Sequence, residues 1–323
     1  MPFIQPSRSD VHVDGPLTNI SVAFMQDQNN FVADRVFPNI PVSHQSDVYY
    51  TYPKGEFNRD DMEVRAPGTE SAGANYQLAT DTYSAPVRAL HKDVADQVRA
   101  NADDPLSPDR EATEFLTTKA LINREANWAA EYFSAGVWDT DVTSGLNWDD
   151  GANSDPIADV RTGVRTILQN TGFVANTLVL GRQVFDILAD HPDIIGRLDR
   201  GQTSGPARST LEAMAALFEL EQVLVMNAIQ NTAAKGQTDS HSFIGNSVDA
   251  LLCYSAPNPG LMVPSAGYTF SWTGFLGASQ NGMRMKRFRL DAIESDRIEI
   301  DQAYDQKLVS SELGYFFDDV TAS

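Results

Sequence analysis

The spacing of apolar and polar residues changes character several times along the chain. Residues 1–45 show no period: prolines at 2, 6, 16, 38 and 41 break any helix, and Gln26-Asp27-Gln28-Asn29-Asn30 is polar. Short apolar pieces such as Val22-Ala23-Phe24-Met25 and Phe31-Val32 lie between them. This reads as an extended arm, which cannot make a core alone and must lie on something else. Residues 46–88 read as a long hairpin. Asp47-Val48-Tyr49-Tyr50-Thr51-Tyr52 is rich in strand formers, and Tyr76 to Tyr83 is the returning strand. The hydrophilic connection between them carries Arg59, Asp60-Asp61, Arg65, Pro67-Gly68 and Gly73. Connections this long are uncommon in compact domains, and a lone hairpin is marginal in water. The projection therefore implies a partner surface, on this chain or another.

Residues 107–135 carry the clearest helical pattern. Ser107-Pro108 supplies an N-cap and a first-turn proline, and Asp109 and Glu111 suit the positive end of the dipole. Phe115, Ile122, Ala126, Ala129 and Phe133 form one stripe at helical spacing. Such a helix runs to roughly 40 Å, the span of a whole domain. After a Gly- and Asp-rich connection, residues 157–170 predict a second helix with Ile157, Val160, Val164, Ile167 and Leu168 on one side.

An α/β pattern follows over about 176–270. Thr177-Leu178-Val179-Leu180 is a buried-type strand, Gln183 to Asp190 a helix stopped by His191-Pro192, and Leu211, Met214, Ala215 and Phe218 mark another helix. Val223–Met226 and Leu251–Tyr254 are further strands. The end of the chain is β again, at Tyr268–Trp272, Met283–Leu290, Arg297–Asp301, Lys307–Val309 and Gly314–Phe317. No internal repeat or low-complexity tract is present. The class is α+β.

Composition narrows the function. With 323 residues, 42% hydrophobic and 21% charged, the chain suits about two domains with a real core. Lys plus Arg total 24 against 44 Asp plus Glu, a net charge of −20. That argues against a protein whose main task is coating phosphate or an anionic membrane. One cysteine, Cys253, excludes an intrachain disulfide framework and a thiolate-rich cluster. The start Met1-Pro2-Phe3-Ile4-Gln5-Pro6 is not a secretory signal, and no apolar run nears the ~20 residues of a membrane span.

Candidate chemistry is sparse. The doublets Asp60-Asp61, Asp103-Asp104, Asp149-Asp150 and Asp318-Asp319 lie in loop-like settings and read as solvated turns. Asp139, Asp141 and Thr143, ending at Asp150, resemble an EF-hand loop, with the glycine one place late and Asp in the last position. There is no phosphate loop, no Gly-x-Gly-x-x-Gly and no Gly-x-Ser-x-Gly. The histidines at 12, 44, 91, 191 and 241 are scattered; His191 at a helix end and Cys253 in an apolar strand read as structural. The basic cluster Arg284, Lys286, Arg287, Arg289 has strand spacing, and acids follow it closely. Charge pairing across strands or subunits is the better reading than nucleic-acid contact.

The order of these pieces resembles the major capsid proteins of tailed bacteriophages, the HK97-like fold. Arg65-Ala66-Pro67-Gly68-Thr69-Glu70 resembles the tip and return of that family's extended loop (E-loop). Thr177 to Phe185 with Asp190-His191-Pro192-Asp193-Ile194 resembles the opening of its axial domain. Arg297–Ile300, Tyr304–Val309 and Gly314-Tyr315 resemble its closing peripheral strands. The resemblance spans nearly the whole chain. It implies an N-terminal arm at 1–45, an E-loop at 46–88, a peripheral domain with a spine helix at 89–175, an axial domain at 176–270 and peripheral return strands at 271–323.

The function so implied is a structural subunit, not an enzyme and without cofactor. It assembles with itself through pentamers and hexamers into an icosahedral head around double-stranded DNA, in the virion capsid, after synthesis in the host cytoplasm. Scaffold, portal and decoration proteins are the further partners; DNA is enclosed without sequence-specific binding, and no membrane is involved. Because the arm starts near Met1, the scaffold is expected as a separate protein or none. Lys54 is the hairpin's one lysine, and no Asn and Glu are matched to it for the covalent cross-linking some members perform. Inter-subunit contacts are expected at Phe24 and Phe31 on the arm and at Tyr49, Lys54, Arg59 and Arg65 on the hairpin. The alternatives are an encapsulin-like nanocompartment shell and, from another class, a carboxylate-dependent hydrolase with converging acids.

Overall fold

The computed structural model describes residues 25–102, 106–143, 145–198, 210–260, 262–275 and 277–321. A single 3-10 turn at Gln28–Asn30 leads to α1 (Ala33–Val36), β1 (Asn39–Val42) and β2 (Ser46–Thr51). In the connection to β3 (Ala79–Ser84) lies one short helix, α2 (Lys54–Phe57). Next come β4 (Val87–Ala95), α3 (Asp96–Ala100), the long α4 (Pro108–Tyr132), β5 (Thr140–Val142) and α5 (Pro156–Thr171). The α/β segment holds β6 (Thr177–Gly181), α6 (Arg182–Asp190), α7 (Pro192–Leu198), α8 (Leu211–Phe218), β7 (Gln222–Met226), β8 (Ile229–Asn231), β9 (His241–Phe243) and β10 (Ala250–Cys253). It is followed by β11 (Gly267–Trp272), β12 (Met283–Leu290), β13 (Ser295–Leu308) and β14 (Gly314–Phe317).

Two five-stranded sheets organise these pieces. In the first, β13 is the shared strand. Its opening half pairs antiparallel with β12 on one side and β4 on the other, and its closing half pairs with β11. β1 adds parallel to β11, so the arm contributes a strand. The second sheet runs β5-β14-β10-β6-β7. Its β6–β7 pair is parallel, the crossover being α6 to α8. Strands β6, β10 and β14 are buried at every position, as their unbroken apolar runs require.

The long helix α4 forms where expected, with Pro108 in its first turn and Asp109 and Glu111 beside it. Its packed face meets the predicted stripe at Ala129 and Phe133, which are buried, and departs from it at Phe115. Phe115 is 46% exposed, whereas Ala112, Leu116 and Ala120 pack on Val94, Ile298 and Ile300 of the first sheet. Alanine lets the helix backbone approach the sheet, and the bulky ring is left outside under the ammonium groups of Lys92 and Lys119 at 5.5 and 5.7 Å. Two β13 glutamines stitch helix to sheet: Gln302 and Gln306 donate to the carbonyls of Ala120 and Arg124 (both 3.3 Å).

α5 carries both of its stop signals. The Asp155 carboxylate accepts the amide of Ala158 at 3.0 Å, and Gly172 closes the helix at φ 80°, where a side chain would be strained. Of the predicted face, Ile157, Val160 and Ile167 are buried, while Leu168 is 43% exposed.

Three expected boundaries fall differently. The hairpin boundary at residue 88 lies inside β4, a nine-residue strand with mostly exposed positions and thus no burial pattern to read. The boundary at 270 lies inside β11, which belongs to the first sheet. Gly314–Phe317, grouped in sequence with the return strands, pairs with β10 and β5 in the second sheet. The reason is packing: Phe316 and Phe317 join Phe133 and Trp148 in the main core. Among the described residues, no helix is long and apolar enough to cross a membrane.

Candidate assembly surfaces

The hairpin of β2 and β3 is fixed at its root and uncovered along its outer face. Strand alternation turns Tyr49 and Tyr83 inward, where Tyr83 stacks on Phe270 (4.7 Å, 12°) and Tyr49 lies 5.3 Å from the same ring. The Tyr49 hydroxyl donates to Asp81 at 2.8 Å, and the amide of Ser84 donates to Asp305 at 2.8 Å. Burial, with Asp81 beside it, holds the Tyr49 phenol above its usual range. The same alternation turns Val48 and Tyr50 outward, 48% and 63% exposed. Beyond them Met62 and Val64 are almost fully exposed, and Phe57 and Tyr76 pack on each other at 5.3 Å yet stay half exposed.

The charged hairpin residues singled out by sequence have partners within the chain. Lys54 pairs with Glu312 and donates to the carbonyl of Asn170 at 3.1 Å. Arg59 pairs with Glu56 at 3.2 Å, and Arg65 donates to the carbonyl of Thr69 at 2.5 Å. Tyr49 faces its own sheet. Apolar residues left facing solvent include Val48, Tyr50, Met62, Val64 and Leu78, and alternation was the signal for the first two.

The arm is seated on the body at four successive points. The Gln26 side-chain amide pairs with the backbone of Ile229 in both directions, at 2.6 and 2.8 Å, as a strand would. The Glu125 carboxylate accepts the amides of Val32 and Ala33, and Arg124 pairs with Asp34 at 2.6 Å. Val32, Ala33, Val36 and Phe37 enter the main core. Finally β1 joins the first sheet. Phe31 is half-buried at the end of the 3-10 turn; Phe24 lies outside the described residues.

The basic cluster is paired across strands. Arg284 and Lys286 reach the buried Asp301 at 2.5 and 3.1 Å, Lys286 also reaches Glu299, and Arg287 and Arg289 reach Asp296. Burial pushes the Asp301 carboxyl up, but the two cations outweigh it and hold the group below its ordinary value.

Of the acidic motifs, Asp141 sits in β5 and accepts the amide of Gly136, while Asp150 accepts from Ala152 and Asn153. Asp103-Asp104 and Ser144 lie outside the described residues. No group of three or more His, Cys, Asp or Glu among the described residues is placed to hold a metal ion. Asp249 meets Asp318 and Asp319, and burial raises its pKa, but its oxygens are taken by the amide of Asp319 and by Asn246. His191 accepts the amide of Asp193 on Nδ1, which leaves Nε2 as the donor to Ser154 Oγ (3.1 Å), while that hydroxyl donates to the carbonyl of Asp150. The serine is thus a relay in a turn, not an activated nucleophile. Burial pushes the Cys253 thiol up to about 12.

Known proteins with the same pattern include capsid and shell proteins. No family model matches the chain. It is 23% identical over 327 residues to the major capsid protein of Pseudomonas phage JBD67, covering 98% of this chain and all of that one. Among solved structures, a phage-related protein from Bordetella bronchiseptica superposes with a TM-score of 0.66 at 21% identity, over 91% of this chain and 93% of that one. The capsid protein of cyanophage P-SCSP1u gives 0.60 at 10% identity, over 97% and 94%. The SrpI encapsulin of Synechococcus elongatus gives 0.53 at 12% identity, over 96% and 95%. A full-length sequence relative and an end-to-end shared fold agree with the order of arm, hairpin, long helix and two sheets: the chain has the HK97-like fold of phage capsid proteins and is similar along its whole length to a phage major capsid protein.

Proposed function

We propose that the chain assembles with itself, through pentamers and hexamers, into the icosahedral head that encloses double-stranded phage DNA. One observation carries the reading. The hairpin holds an outward row of large apolar side chains, from Val48 to Leu78, that its own chain leaves in water. In a shell, each copy lays that row on its neighbour. Heterologous contacts of this kind close into rings when the rotation fits, and many weak ones act together. Phe24, Phe31, Lys54, Arg59 and Arg65 are proposed at the edges of those contacts; Tyr49 is proposed to orient the hairpin from beneath.

The five-part division into arm, E-loop, peripheral domain, axial domain and return strands is kept as a proposal, with Gly314–Phe317 moved to the axial sheet. The role is structural and needs no catalysis. Synthesis in the host cytoplasm, with scaffold, portal and decoration proteins as partners, completes the proposal. A net charge of −20 keeps packaged DNA from adhering tightly to the wall.

Replacing residues 54–73 with a short flexible bridge tests the reading. The expected result is folded subunits that fail to form closed shells, seen by negative-stain microscopy and scattering mass. Normal shells from that variant defeat it. The encapsulin likeness supports a second reading, a shell around protein cargo; DNA-free particles with co-purifying protein inside decide for it.

A further inference from the structure

The arm is clasped to α4 by a carboxylate that has no cation of its own. Glu125 is 1% exposed. Its Oε2 accepts the amides of Val32 at 3.0 Å and Ala33 at 2.9 Å, and its Oε1 lies 3.1 Å from the amide of Val32. Among the described residues no Lys, Arg or His makes an ion pair with it. Arg124, its neighbour on α4, is committed to Asp34 at 2.6 Å and lies 5.0 Å over the Tyr304 ring of β13. Arg88 of β4 shares that ring at 4.6 Å. From β13, Gln306 brings a neutral amide to the Arg124 carbonyl. The charge that acts on Glu125 from the arm is Asp34, of like sign.

We propose that Glu125 is a proton-operated clasp: in its neutral form it holds Val32–Phe37 tightly against α4, and in its charged form it holds that segment more loosely.

The chemistry follows from what docking does to the carboxyl group. Seating the arm removes it from water. A neutral carboxyl loses little by that transfer and still accepts the two amides on its carbonyl oxygen. A carboxylate loses its hydration, receives the same two amides instead of a cation, and faces Asp34. Burial accordingly pushes Glu125 up to about 7 from an ordinary value of 4.5. With the arm released, the group is solvated and returns to the ordinary range. Between those two values the docked state therefore binds more protons than the released one. Docking is strongest near pH 4.5, weakens as pH rises to about 7, and is constant above that. The clasp is a property of the subunit and does not rest on the shell reading.

Hydrogen exchange of the full-length chain from pH 5 to 8, corrected for intrinsic amide rates, tests this. Protection of the amides at 32–37 is expected to fall by roughly tenfold or more up to pH 7 and then level off. Amides of β6 and β10 report openings that also release the arm, so they are expected to show at most the same fall as the arm amides. Glu125→Gln keeps an acceptor and removes its titration, so the fall in arm protection is expected to shrink to what Asp34 contributes, whose carboxyl burial also raises against the pull of Arg124. Asp34→Asn removes the like charge and is expected to move the wild-type midpoint to lower pH. Flat protection in the wild type overturns the proposal. So does an equal fall in Glu125→Gln, or a midpoint unmoved or raised in Asp34→Asn.

Discussion

The ring of Phe37 lies against the backbone of Gly267, so close that a Cβ built on that glycine falls 2.3 Å from Phe37 Cζ. The same ring meets Trp128 edge-on at 5.9 Å and Tyr132 at 4.9 Å. Phe37 is therefore the point where the arm, the long helix and β11 interlock. Gly267→Ala is expected to push the ring outward and destabilise the subunit by about 1–3 kcal/mol. Phe37→Ala, which leaves a cavity, is expected to lose about 3–5 kcal/mol. Urea midpoints measure both. An unchanged midpoint in Gly267→Ala means that this contact does not seat the arm.

Opposite faces of the hairpin are expected to respond in opposite ways. Tyr50→Ser, on the outer face, should leave subunit stability within about 0.5 kcal/mol and reduce shell yield. Tyr83→Ala removes a buried ring stacked on Phe270 and is expected to destabilise the subunit itself by roughly 3 kcal/mol. Thermal melts of unassembled protein, set beside sedimentation of assembled material, separate the two effects. Loss of shells only in the Tyr83 variant runs against the assembly role of the outer face.

Asp301 links stability to acid. Its folded pKa is depressed by Arg284 and Lys286, so its contribution is present above the ordinary aspartate range and is lost as pH falls through the depressed value. Asp301→Asn is expected to destabilise the wild-type fold by roughly 3 kcal/mol at neutral pH, since two cations lose a buried partner. As pH falls through that depressed value the wild type and the variant should converge. Denaturant titrations from neutral pH into acid check this; a gap that does not narrow leaves the ion pairs without that role.

Cys253 is expected to be inert in the folded chain. It is fully buried in β10, and a thiol pushed up to about 12 is ionised to roughly one part in ten thousand at pH 8. Alkylation by iodoacetamide should proceed at the rate of global unfolding, slow in buffer and complete in denaturant. Fast labelling of native protein identifies an opening of the second sheet that the packing does not show.

Sequence patterns carried the fold a long way where burial was uniform. The apolar runs of β6, β7 and β10 and the helices α4 and α5 all stand where spacing places them. Patterns failed where the deciding contact lay far off in the chain. No local signal pairs Val32 with Glu125, or Phe316 with Phe133, because each contact is made by tertiary packing between distant segments. The α4 stripe holds at Ala129 and Phe133 and fails at Phe115, because the close helix–sheet approach there selects Ala112 and Ala120. The hairpin was legible as a region. Lys54, Arg59 and Arg65 are exposed there and paired within the chain, and the pattern of charge gave no sign of the exposed apolar side chains Val48, Tyr50 and Met62 beside them. Alternation separates Tyr49 from its neighbours but leaves open which face meets the body.

The place of β14 also governs when the second sheet is finished during synthesis. It lies between β5, made some 170 residues earlier, and β10, so neither strand has its neighbour until residue 317 has emerged. A nascent chain halted anywhere between β10 and β14 exposes two bare strand edges and an open apolar face. Contacts of such high sequence separation form slowly, because the loop entropy is lost before the pairing is gained. A chain made only as far as β10 therefore has no finished second sheet.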